Sequence, residues 1–359
     1  MQAQFLPWHT DIARDWLDAK ERFAHAWLIH GLAGIGKRQF AFAAAASLLC
    51  ESPRQGLACG LCPACGWVAK GNHPDLKRIR PEAVAVDEGA ELGAEDENGM
   101  AEEVSAPEPG GATKRAPSKD IRVEQIRSLE PWFNNATHRG GWRVALIYPA
   151  ESLTTISGNT LLKVLEEPPP STIFLLVADA PDRLLPTLLS RCRRLPLATP
   201  SMDSARQWLN VNGVKHADAW LAAAGGAPLL AKQQSENESS PCPDWIEDLL
   251  ISLAQNRSID TGAVADKLAK SSPKTWLDAL QRLCIDLNLN AHGLPCRYYP
   301  SMQDQLQAIA KPERTVSLAQ LSTWLNEQKR VAGHPLNAKL FAQAVLQRLL
   351  QSCQIKASG

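Results

Sequence analysis

No stretch of this 359-residue sequence is apolar for long enough to cross a bilayer. Its first residues, Met1-Gln2-Ala3-Gln4, lack the basic-then-apolar layout of a secretory signal. Both absences point to a cytoplasmic protein with no membrane partner. Neither sign of charge is in excess, since Lys+Arg and Asp+Glu each number 38. That argues against a chain whose whole surface grips nucleic acid, while leaving room for a local basic patch. A disulfide framework is absent too. There are nine cysteines, and four of them crowd into residues 50–65, which suits a metal site in a reduced compartment. Residues 82–108 hold ten acidic side chains and no Lys, Arg or aromatic residue. Such a composition buries too little apolar surface to order itself, so 81–118 is expected to be a disordered acidic insertion.

What is present is organised around Gly31-Leu32-Ala33-Gly34-Ile35-Gly36-Lys37-Arg38. This follows the phosphate-loop pattern G-x-x-x-x-G-K-[ST] until its last position. In a working loop the glycines let backbone N–H groups close around phosphates, the lysine reaches the β/γ-phosphates and the hydroxyl holds magnesium. Arg38 cannot ligate a cation. The context is otherwise right, with an apolar strand over 26–30 before the loop and an alanine-rich helix over 38–50 after it. A second apolar strand, 143–147, should end in Asp-Glu if the chain cleaves ATP, and it is followed instead by Tyr148-Pro149. Glu151 lies beyond the strand end. One hydroxyl and two carboxylates of a single catalytic apparatus are missing together, so no ATPase activity of the chain's own is expected.

Cys50 and the run Cys59-Gly60-Leu61-Cys62-Pro63-Ala64-Cys65 supply four thiolates. Two C-x-x-C steps share Cys62, and short Gly- and Pro-bearing loops let the ligands converge. Zinc in a closed, structural site fits this spacing best. An iron–sulfur cluster and a redox pair are the competing readings. His73 reads as a solvated loop residue. Helical spacing marks 121–129, 157–167 and, further on, 202–211, 217–224 and 229–233, with a polar linker over 234–241. Strand and helix alternation over 26–198 implies a doubly wound parallel sheet. Stripes at Trp276, Leu277, Leu280, Leu283, Cys284 and Leu287, and at Phe341, Ala344, Val345 and Leu349, read as helical core.

Two motifs are more specific: Asn159-x-Leu161-Leu162-Lys163-x-Leu165-Glu166-Glu167-Pro168-Pro169, and Ser190-Arg191-Cys192. Together with the loop they resemble the clamp-loader branch of the AAA+ ATPases, and the four-cysteine insertion is typical of its bacterial members. The resemblance covers residues 1–230 well. It is weaker in the tail, where 337–350 is similar to the family's last helix. It implies an α/β AAA+ domain over 1–198, a small helical lid and linker over 199–240 and an all-α oligomerisation collar over 241–359.

It also implies a role in DNA replication, within a DNA-directed DNA polymerase holoenzyme. The expected partners are gamma/tau motor subunits and a delta subunit, with the sliding clamp and primed DNA reached through the complex. Arg191 is then an arginine finger acting in trans on a neighbour's ATP. Cys192 reads as packing, Glu166 and Glu167 as interface or capping residues, and Arg193 and Arg194 as solvated charges or DNA-backbone contacts. Motor members keep the groups missing here. They also carry a basic residue after a lid glycine pair, where this chain has Gly225-Gly226-Ala227-Pro228-Leu229-Leu230. The alternative is an active motor subunit with unusual ligands. Zinc is the expected cofactor. ATP or ADP is not expected as a working one, although Gly31, Gly34, Gly36 and Lys37 are intact and keep weak nucleotide binding open.

Overall fold

Five parallel strands form the sheet of the first half of the chain, in the order β2-β3-β4-β1-β5. They are β1 (Ala26–His30), β2 (Leu76–Ile79), β3 (Arg143–Ile147), β4 (Thr172–Ala178) and β5 (Arg193–Pro196). The computed structural model describes residues 4–19, 23–89, 116–138, 140–332 and 337–353. The central strands β3 and β4 are buried at every position. Strands covered on both faces should read as unbroken apolar runs, and these do. The edge strands β2 and β5 are buried only in part, β2 at its two ends and β5 at Leu195 alone. Lys77, Arg193 and Arg194 are exposed there, and charges on edge strands discourage edge-to-edge pairing.

Helices cover the sheet: α1 (Thr10–Asp18), α2 (Lys37–Leu49), α3 (Pro63–Lys70), α4 (Glu82–Asp87), α5 (Val123–Arg127), α6 (Leu129–Asn134), α7 (Thr155–Glu166) and α8 (Pro186–Arg191). Helix α2 is buried almost all round, which explains its alanines: small side chains let a helix lie close against a sheet. Thr154 caps α7 by accepting from the Ser157 N–H at 3.1 Å. Leu161 and Leu165 of the motif helix drop into the same core as Leu28, Phe174 and Leu176.

Two compact units divide the chain, Met1–Thr199 and Pro200–Gly359. Among its described residues the second unit holds no strand. Its helices are α9 (Met202–Val211), α10 (Ala217–Ala223), α11 (Pro228–Asn237), α12 (Asp244–Ala254), α13 (Thr261–Leu268), α14 (Pro273–Ala291), α15 (Gln303–Ile309), α16 (Thr315–Val331) and α17 (Ala338–Cys353). The α14 stripe of Trp276, Leu277, Leu280, Leu283, Cys284 and Leu287 is buried, as is Val345 and Leu349 of α17. A buried carboxylate fixes the turn after α14. Asp286 accepts the backbone N–H groups of Arg297 at 2.7 Å and Tyr299 at 2.8 Å, and that of Tyr298 at 3.0 Å.

Three expectations are corrected. The acidic segment 81–118 is ordered at both ends: Glu82–Asp87 is helical, and Ser118 donates its N–H to Glu82 at 2.8 Å. The middle of that segment, 90–115, lies outside the described residues. Helix α11 runs through Asn237 into the expected linker. His73 is buried, not solvated. Its Nδ1 accepts the Asp75 N–H at 3.0 Å, and its ring packs against Trp67. The backbone turn at His73-Pro74-Asp75 feeds β2, whose start needs that N–H held.

Candidate functional site

Loop 31–36 leaves the C-terminal end of β1 and enters α2, the position where a parallel α/β sheet gathers ligands. Gly31 has φ +152°, and a Cβ there would lie 2.4 Å from the Leu197 carbonyl oxygen. Only glycine lets the loop pass β5 so closely. Gly36 caps α2 in the left-handed region, at φ +96°. Trp8 donates its indole N–H to the Ile35 carbonyl at 3.0 Å, bracing the loop from outside.

The charges in the loop are already matched. Lys37 is only 4% exposed. Its ammonium donates to the loop's own Leu32 carbonyl at 2.6 Å and pairs with Asp179 Oδ1 at 2.5 Å. Asp179 stands directly after β4. Arg38, at the position of the magnesium-holding hydroxyl, pairs with Glu88 Oε1 at 3.1 Å. Tyr148, directly after β3, places its hydroxyl 2.9 Å from both oxygens of Glu88. Burial and the Glu88 carboxylate hold the Tyr148 hydroxyl well above the usual tyrosine range, so it stays a donor. Arg80 Nε lies 3.0 Å from Glu88 Oε2. Glu151 accepts the Ala180 N–H at 2.5 Å, so it orders the chain after β4. Beside the loop, His9 is 1% exposed between aromatic rings. Burial and the nearby Lys37 charge bring its pKa down to about 4.

Arg191 ends α8 at the surface. Its side chain is 35% exposed; it donates to the Thr187 carbonyl at 3.2 Å and pairs with Glu166 at the end of α7. The two family motifs thus meet through one ion pair. Cys192 is buried in the core with Leu161, Leu165 and Leu188, and burial raises its thiol to about 11. Arg193 and Arg194 are exposed on β5, with the Arg193 guanidinium 5.2 Å from the Trp27 ring centre.

The four cysteines converge. Cys50 and Cys62 Sγ are 3.8 Å apart, Cys59 and Cys65 Sγ 4.0 Å, and all four lie within 4.8 Å of one another. A disulfide needs about 2.0 Å. A tetrahedron of metal–sulfur bonds of about 2.3 Å has edges of about 3.8 Å, so the cluster can hold a metal ion. Backbone N–H groups of Cys59, Cys62 and Cys65 point at the sulfurs of Cys50, Cys59 and Cys62 at 3.3, 3.3 and 3.5 Å, as thiolates require. Those of Leu61 and Cys62 lower the Cys59 thiol to about 6, while burial raises Cys50 and Cys65.

Sequence reasoning found the loop, Arg191 and the cysteines. It missed Asp179, Glu88 and Arg80. Asp179 had one available signal: it follows a buried strand at the ligand end of the sheet. Glu88 had none, being one acid among ten.

A parallel sheet flanked by helices, with a glycine loop between its first strand and the next helix, followed by a helical unit, is an α/β fold of the AAA+ phosphate-loop type. The family model described as DNA polymerase III, delta subunit, matches residues 16–201. The DNA polymerase III subunit delta-prime of Pseudomonas aeruginosa is 34% identical over 235 residues, 64% of this chain and 61% of that one. The subunit of the same name from Haemophilus influenzae is 31% identical over 275 residues, 75% of this chain and 73% of that one. The Escherichia coli subunit tau is 30% identical over 188 residues, 52% of this chain but 24% of tau. The chain belongs to the DNA polymerase III delta-prime subunit family. The match reaches less than two thirds of the Pseudomonas relative's length.

Proposed function

We propose that this chain is a non-hydrolysing subunit of a clamp loader, lending Arg191 to the ATP site of a neighbouring motor subunit. The observation that carries this reading is the contrast between two places. At the loop, Arg38 and Tyr148 stand where a hydrolysing site needs a metal-holding hydroxyl and carboxylates. At the surface, Arg191 keeps a guanidinium reachable by another protomer. A guanidinium set against a γ-phosphate stabilises the charge that develops in phosphoryl transfer. Family membership and the 30% identity to tau favour gamma/tau and delta subunits as partners, with clamp and primed DNA met through the complex. Residues 199–240 are proposed as a lid and 241–359 as the collar. No helix among the described residues is long and apolar enough to cross a membrane, in keeping with work in the cytoplasm.

The metal assigned to Cys50, Cys59, Cys62 and Cys65 is zinc. Four thiolates leave no open position, so its chemistry is structural: it ties the end of α2 to the start of α3.

The test of the finger is Arg191→Ala in the reconstituted complex. Assembly should be unchanged and DNA-stimulated ATPase reduced, with a loss of about 10³–10⁵ at the site served. Unchanged ATPase rejects the role. The competing motor reading, favoured by the intact Lys37, requires the purified chain to turn over ATP with magnesium by itself.

A further inference from the structure

Arg38 and Tyr148 occupy the two positions that flank magnesium in a hydrolysing phosphate loop, and in this chain one carboxylate bridges them. Glu88 reaches Arg38 at 3.1 Å, the Tyr148 hydroxyl at 2.9 Å and Arg80 at 3.0 Å. Its side chain is 8% exposed and that of Arg80 2%. Few charges are buried without a partner, and this one accepts from two donors, Arg38 and Tyr148, with the Arg80 guanidinium beside it as an ion pair. The remaining loop cation, Lys37, is neutralised in the same way by Asp179.

We propose that Glu88 is a built-in anion that fills the phosphate-and-metal locus of the loop and closes it to nucleotides. This rests on reading residues 31–38 as a phosphate loop. The arrangement needs no metal: Arg38 supplies a fixed positive charge where magnesium would sit, and Glu88 supplies the negative charge that a nucleotide would bring. The carboxylate comes from the residue that follows α4, so the closing group is carried by the start of the acidic segment. A nucleotide could enter only by displacing a buried carboxylate held by two donors and two guanidinium charges.

The proposal makes the phosphate receptor recoverable. Glu88→Gln keeps the shape and removes the negative charge. The full chain is titrated calorimetrically with pyrophosphate and with ATP, once with magnesium and once in EDTA. Wild type should show no saturable binding at millimolar ligand. The Glu88→Gln chain should bind pyrophosphate at least about tenfold more tightly than wild type. The gain should survive EDTA and weaken with salt, because arginines supply the charge. It should vanish in Glu88→Gln/Arg38→Ser.

Metal-independent binding by wild type equal to that of the variant overturns the closing role of Glu88. Wild-type binding that needs magnesium overturns the reading of the loop as inactive, a separable result. A folded Glu88→Gln chain that gains nothing also overturns the closing role. If that variant does not fold, Tyr148→Phe, which removes one donor and no charge, should give a smaller gain, and no gain rejects the proposal.

Discussion

The guanidinium of Arg191 is bound to the carboxylate of Glu166, joining the end of α8 to the end of α7 across 25 residues of sequence. The pair sets where the proposed finger points before any partner arrives. Both side chains are part-exposed, so Glu166→Gln should cost at most about 1 kcal/mol of stability. It should lower the ATPase of the reconstituted complex by less than Arg191→Ala does. Arg191→Lys keeps the charge and loses the planar fork, so its ATPase should lie nearer the alanine variant than wild type. Full activity of Arg191→Lys would mean that a point charge suffices.

The cysteine cluster should carry one zinc per chain and no visible chromophore. Chelation, or Cys62→Ser, should lower the melting temperature of the first unit by about 10 °C or more, since metal binding there is folding free energy. Elemental analysis with thermal melting checks both statements. Iron, or a gently purified chain that is metal-free and equally stable, would refute the assignment.

His9 gives a pH dependence with a definite sign. Its folded pKa, about 4, lies below the ordinary value of 6.5. Between those values the unfolded chain takes up a proton that the folded chain refuses. The stability is therefore fully present above about pH 6.5 and is lost as pH falls towards 4, by about 3 kcal/mol in all. Denaturant melts from pH 7.5 to 4.5 should show this loss, and His9→Phe should remove that share of it while leaving the carboxylate-driven share.

Gly31→Ala should be among the more damaging single changes in the first unit. The added methyl meets the Leu197 carbonyl at 2.4 Å and the backbone is at φ +152°. A loss of about 2–4 kcal/mol is expected from the clash and the strain together, read from urea melts. A neutral result would mean that β5 gives way.

The parts of the fold legible in the sequence were those whose signal is local. The apolar runs at 143–147 and 173–178 announce central strands, and they are the strands buried at every position. Leu76-Lys77-Arg78-Ile79 does not announce β2: a four-residue edge strand with two charges looks like loop until its neighbour is known. The departures from the motif at Arg38 and Tyr148 were readable because motif positions define what should stand there. Their consequence was not, because Glu88 and Asp179 meet the loop only through the fold, 50 residues from Arg38 and 142 from Lys37. His73 was misread for the same reason, its burial being set by Trp67 and by the start of β2.

The Lys37–Asp179 pair has a consequence for timing. In a working phosphate loop the lysine reaches the β/γ-phosphates. Here that lysine is already paired within the same polypeptide. Under the proposed function, such a protomer keeps one posture through the cycles of its neighbours and gives them a fixed bearing against which to turn.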